Sequence, residues 1–133
     1  LVRDARNAGV IDLAPLPDRQ LDEYQALKIG RLRKLETLGL HDAFACILLS
    51  EEFGARKPDP SIFLEGCRQL QVEPARCLYV GDSYRNDVVG AAAAGMPCCW
   101  FNAISDPVTG SAKATIEIDR LSDLLLWLGL AAE

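Results

Sequence analysis

No stretch of this chain approaches the roughly 18 consecutive apolar residues that a membrane helix needs, and no secretory signal is visible at its start. It lacks a broad Lys/Arg cluster: 19 Asp and Glu face 14 Lys and Arg, for a net charge of -5. Such a balance argues against nucleic acid or an anionic membrane as the main partner. The five cysteines, Cys46, Cys67, Cys77, Cys98 and Cys99, form no CxxC pair and no metal-ligand spacing. Their odd count, and the apolar runs around Cys46, Cys77 and Cys98, predict reduced thiols buried as core filler in a cytoplasmic protein. A reactive thiol would need an electropositive, partly open setting. There is neither an internal repeat nor a low-complexity linker, so the 133 residues are expected to form one domain, 1–133.

Against that background one stretch stands out, CLYVGDSYRNDVVGAAAAG, from Cys77 to Gly95. A short apolar run, Cys77 to Val80, has the length and bounding of a buried strand. Gly81 follows and lets the backbone turn at the strand end. Two acids come next, Asp82 and Asp87. The small residues from Val88 to Ala94 suit a helix packed close to a sheet, with Gly95 as its C-terminal stop. Both carboxylates then lie at the carboxyl end of an inner strand, where ligands bind in open α/β sheets. Hard oxygen ligands with no His or Cys beside them suit Mg²⁺ better than zinc.

Along the chain, 1–8 reads as a helix end and 10–14 as a weak strand cut by Pro15 and Pro17. Asp18 to Leu38 has helical spacing and a basic, solvated face, Lys28, Arg31, Arg33 and Lys34, closed by Gly39. Ala45 to Leu49 is a strand candidate. Arg56-Lys57-Pro58-Asp59-Pro60 is held extended by its prolines, which also mark where a helix over 61–70 starts. Residues 72–76 turn into the strand at Cys77. Cys98 to Phe101 is a further strand, 102–115 a polar loop, 116–118 a short edge strand and 121–130 a terminal amphipathic helix. Alternating strands and helices from 45 to 101 predict an α/β fold, a three-layer Rossmann-like parallel sheet with helices on both faces.

In a right-handed parallel sheet the loops after successive strands open on one edge. Lys57, Asp82 and Asp87 would therefore share a crevice. Each alone reads as a surface charge or helix cap, as Asp82 or Ser83 could be. Together they suit phosphoryl transfer, where a metal and a lysine neutralise charge on the phosphoryl oxygens.

The runs KLETLGLHDAFACILLSEEFGARKPDPSIF and CLYVGDSYRNDVVGAAAAGMPCCWFN resemble the C-terminal half of a haloacid dehalogenase (HAD) superfamily hydrolase, over about Leu32 to Leu128. The first resembles the stretch with that family's third motif, with Lys57 as its lysine. The second is similar to the fourth motif, GDxxxxD, with Asp82 and Asp87 as its acids. The resemblance is strongest to the phosphatases of phosphoglycolate and nucleoside monophosphates. It implies an Mg²⁺-dependent reaction through an aspartyl-phosphate on a small phosphorylated metabolite. Lys57 and Asp82 would be catalytic, Lys57 and Ser83 would meet the substrate, and Asp82 and Asp87 would bind the metal.

Two parts of the pattern do not match. The first motif, DxDxT, is imitated only by Val10-Ile11-Asp12-Leu13-Ala14, and Pro17 stands where the second motif's hydroxyl belongs. No cap segment for substrate selection is recognisable. Three expectations follow for the central strand: further sequence ahead of Leu1, a complementing N-terminal segment or homodimer partner, or Val10 to Asp12 with Asp12 as nucleophile. Unfilled, that slot would leave strand edges unpaired. The competing functional readings are an inactive interaction module and a metal-independent 2-haloacid dehalogenase.

Overall fold

A computed structural model describes residues 33–130 of the chain. The expected elements at 1–8, 10–14 and most of 18–38, together with Asp12, Ala14 and Pro17, lie outside the described residues. Residues 33–37 are helical, and Gly39 follows with a positive φ of 66°. A 3-10 turn at His41–Ala43 leads into the apolar run at 45–49. That run is less regular than its composition predicts: only Leu48 makes an isolated bridge. Its side chains are nevertheless inside, Leu48 and Leu49 both being buried. An apolar run encodes burial, whereas a ladder also needs a neighbour of matching length.

The chain then forms α1 (Ser50–Phe53), α2 (Pro60–Leu70), β1 (Tyr79–Gly81), a π-type turn (Tyr84–Val88), α3 (Val89–Ala93), β2 (Cys98–Phe101), β3 (Ile116–Ile118) and α4 (Leu121–Trp127). The strand expected from Cys77 is shifted two residues later, because a 3-10 turn at Pro74–Arg76 carries the chain through Cys77 first. The terminal helix stops short at Trp127, with Gly129 just beyond it at φ 68°. Strand order is β1-β2-β3, all parallel. Tyr79 lies opposite Cys98 and Gly81 opposite Trp100, while Cys99 lies opposite Ile116.

That register sorts the side chains onto two faces. Tyr79, Cys98 and Trp100 join Ile62, Phe63 and Cys67 of α2 and Val88, Ala91 and Ala94 around α3 in the larger core. Leu78, Cys99 and Ile118 pack with Leu124 of α4 on the opposite face. The three-layer parallel α/β architecture is therefore present, with strands apolar on both sides as buried parallel strands are. No helix among the described residues is long and apolar enough to cross a membrane.

Small residues bring α3 in close, as the sequence suggests, but chiefly against another helix. A Cβ on Gly90 would sit 2.5 Å from Cζ of Phe63 and 3.1 Å from the Pro58 carbonyl oxygen. The Phe63 ring is buried edge-on against Tyr79 at 4.7 Å between centroids, so it has little room to yield. Gly95 ends the helical segment at φ 71°, where an L side chain would be strained.

The cysteines are free thiols; Cys67, Cys77, Cys98 and Cys99 are buried and Cys46 is half-buried. Burial is the main cause that pushes the Cys67 and Cys98 thiols up to about 12. Cys67 and Cys98 are expected to resist iodoacetamide at pH 8 in the folded protein, with Cys46 alkylated first; rapid labelling of Cys98 would contradict the packing. Gly90→Ala is expected to destabilise by about 1–3 kcal/mol, the scale of overpacking, measurable by urea denaturation.

Candidate active site

Lys57 reaches the sheet from the segment between α1 and α2. The Asp59 N–H donates to the Arg56 carbonyl at 3.0 Å, closing a tight turn, and the Lys57–Pro58 peptide is cis. Asp59 then caps α2 by accepting the Ser61 N–H at 2.8 Å, with Pro60 in the first helical position. As the sequence predicts, the prolines locate the helix start, and they place Lys57 just ahead of it. Its side chain is 14% exposed.

Asp87 arrives from the other side. The Ser83 carbonyl accepts both the Asp87 N–H at 2.8 Å and the Val88 N–H at 3.3 Å, and the Ser83 hydroxyl accepts the Asn86 N–H at 3.2 Å. The widened turn carries one more residue than an α-turn, a feature frequent at functional sites. It swings the Asp87 carboxylate back to the end of β1. There Oδ2 accepts the Ser83 N–H at 2.9 Å. Oδ1 accepts Lys57 Nζ at 2.7 Å and the Tyr79 hydroxyl at 3.1 Å. Lys57 also donates to the Tyr79 oxygen at 3.2 Å, which closes a triangle of cation, phenol and carboxylate. At 1% exposure the Asp87 side chain needs this complete set, since a buried charge without partners is very costly.

Gly81 serves this arrangement in a way the sequence alone does not reveal. Its φ is not positive, so no special backbone turn calls for glycine there. Instead, a Cβ at Gly81 would run into the Asp87 carboxylate, only 2.5 Å from the Asp87 Cβ and Oδ2. Glycine is required because Asp87 occupies the space.

Asp82, the next residue, has the opposite character. It is exposed, and its carboxylate makes no hydrogen bond or ion pair among the described residues. Only its backbone is held, the carbonyl accepting the Trp100 indole N–H at 3.1 Å. Lys57 thus pairs with Asp87 rather than Asp82. Ser83 bonds Asp87 through its N–H and spends its hydroxyl on the turn. No group of three or more His, Cys, Asp or Glu gathers among the described residues.

Tyr79 was not singled out by the sequence, where it reads as one more apolar strand residue. Its signal was a hydroxyl inside a buried run, because a buried tyrosine usually finds a polar partner. The parallel register put that hydroxyl on the face where Lys57 arrives.

The assembly is a parallel α/β core with a lysine–carboxylate pair and an exposed acid at the carboxyl end of β1. A family model for haloacid dehalogenase-like hydrolases matches residues 28–95, just over half of the sequence. The chain belongs to that family. It is 44% identical over 70 residues to a glyceraldehyde 3-phosphate phosphatase of Methanopyrus kandleri, covering 53% of this chain and 30% of that protein. A HAD phosphatase from Thermococcus onnurineus superposes with a TM-score of 0.65 at 38% identity, over 80% of this chain and 46% of that one. The HAD-hydrolase YfnB from Bacillus subtilis, in a structure bound to magnesium, matches with a TM-score of 0.69 at 29% identity, over 76% of this chain and 45% of that one. The chain thus spans under half the length of these relatives.

Asp87→Ala would remove the carboxylate that neutralises the Lys57 ammonium in a nearly closed setting. It is expected to cost about 3 kcal/mol, the scale for breaking a buried pair from one side. Tyr79→Phe removes one hydroxyl and is expected to cost about 1 kcal/mol. Urea unfolding measures both, and a loss near zero for Asp87→Ala would refute the pair's structural role.

Proposed function

We propose that this chain carries the lysine and metal-binding part of an Mg²⁺-dependent phosphomonoesterase acting on a small phosphorylated metabolite through an aspartyl-phosphate. The carrying observation is the division of labour at the end of β1. Asp87 is buried and accepts from Lys57, Tyr79 and the Ser83 N–H, while Asp82 presents an exposed carboxylate without partners among the described residues.

The donor set fits Mg²⁺. Asp82 offers hard oxygens that no group among the described residues occupies, and Asp87 Oδ2 accepts the Ser83 N–H with acceptor capacity left for a metal-bound water. Asp82 would hold the ion directly, and Asp87 would orient it directly or through water. When bound, the ion would supply positive charge against the phosphoryl oxygens. Lys57, tethered by Asp87 and Tyr79, would place its ammonium against the nucleophile and the phosphate without having to be ordered on binding. Ser83 supports the reading as the residue whose N–H and hydroxyl set the shape of the loop. The phosphatase name of the Methanopyrus relative supports the reaction class.

The test is turnover of p-nitrophenyl phosphate by the full-length protein. We expect activity with Mg²⁺ that is lost in EDTA, and a fall of about 100-fold or more for Asp82→Ala, in line with the loss of one electrostatic group at a reacting centre. Unchanged turnover in that variant, or turnover of a 2-haloacid that persists in EDTA, would sink the proposal.

A further inference from the structure

β2 and the loop that follows it are fastened to the loop that follows β1 at three points. The Tyr84 N–H donates to Oδ2 of Asp106 at 3.1 Å, across 22 residues of sequence. The Trp100 indole donates to the Asp82 carbonyl at 3.1 Å, and the Tyr84 hydroxyl donates to the Ala112 carbonyl at 2.8 Å. With the Ser83 N–H on Asp87, each of three consecutive residues, Asp82, Ser83 and Tyr84, has one backbone group held by a side chain.

Asp106 is itself fixed before it meets Tyr84. Its N–H donates to Asn102 Oδ1 at 2.6 Å, and Asn102 Nδ2 donates back to the Asp106 carbonyl at 3.4 Å. The same amide nitrogen donates to Glu117 Oε1 at 2.7 Å, and the Asn102 N–H donates to the Ile118 carbonyl at 2.7 Å. The Asp106 carboxylate is thus presented from a closed five-residue loop anchored on β3, half-buried rather than free to swing. The acceptor is needed because Tyr84 opens a helical turn. The first N–H groups of such a turn have no partner within it, and the Ser83 hydroxyl is already taken by Asn86.

We propose that Asp106 is a positioning residue for the Asp82 carboxylate. It acts through the Tyr84 N–H to hold the backbone from which Asp82 projects. Its consequence for turnover rests on the phosphatase reading above; the clamp itself does not. Without the acceptor, the end of β1 keeps the Trp100 and Asp87 restraints and the Tyr84 ring keeps Ala112, but the Tyr84 backbone loses its hold, and the direction of the Asp82 side chain is less tightly set. Lys57 is untouched, so substrate capture should survive while the step that needs Asp82 slows.

The experiment compares Asp106→Ala with Asp106→Asn, whose side-chain oxygen can still accept, in the full-length protein. Amide hydrogen exchange and chemical shifts of Asp82, Ser83 and Tyr84 are read by NMR, first alone and then with added MgCl₂. We expect Asp106→Ala to lose Tyr84 protection, to move the Asp82 and Ser83 resonances and to raise the Mg²⁺ concentration at half-saturation about 10-fold, with Asp106→Asn close to wild type. On p-nitrophenyl phosphate, kcat should fall about 10-fold, a typical penalty for small misplacement, with KM within about 2-fold. If Tyr84 loses protection while the Asp82 resonances stay in place, the proposal is overturned whether or not the protein proves to be a phosphatase. A protein with no phosphatase activity, but with Asp82 displaced in Asp106→Ala, would overturn the reaction assignment and leave the clamp standing.

Discussion

A single buried carboxylate governs the architecture at the end of β1. Asp87 is almost wholly out of water, and its stability depends on three donors arriving together: the Lys57 ammonium, the Tyr79 hydroxyl and the Ser83 N–H. Each donor comes from a different part of the chain, and each part has the residues it needs to get there. Gly81 leaves room for the carboxylate, and the π-type turn points it inward. Gly90 allows α3 to approach Phe63 and the Pro58 carbonyl, next to the segment that delivers Lys57. A fault in any of these would leave a charge buried without a partner, which is far costlier than an imperfect apolar contact.

Once that carboxylate is settled, the role of its neighbour follows. Asp82 is one residue past the strand, held by its backbone and not by its side chain. Two acids that look equivalent in GDxxxxD are therefore unlike in the folded protein. One is a structural anchor for the lysine, and the other is an exposed carboxylate at the end of β1 in a haloacid dehalogenase-like hydrolase. The division leaves the lysine ammonium fixed in place by Asp87 and Tyr79, so little reorganisation of that group remains to be done on binding.

Much of this was legible beforehand. The small residues at Gly90, Ala91 and Ala94, the proline-marked start of α2 and the αL glycine at Gly95 are local signals, set by sterics within a few residues, and the structure carries all three. The apolar run at Cys98 to Phe101 became β2 over its full length because it is central among the described strands and pairs on both sides. The run at 45–49 kept its burial but not its ladder, and the strand at Cys77 slid to Tyr79. Where a strand starts and pairs depends on its neighbours as well as its own residues. For the same reason the sequence does not mark Tyr79: its hydroxyl is distinguished only by what stands opposite it.

From the order of its residues alone, this protein settles its parallel α/β class and brings the lysine and acid motifs to one edge. Strand and helix periodicity, together with the handedness of crossover connections, allow few other arrangements. Which of the two acids would take the lysine, why Gly81 must lack a side chain, and how Asp106 reaches Tyr84 were decided only on folding. Those outcomes turn on hydrogen bonds and close contacts between groups 6 to 30 residues apart, and no local pattern carries that information.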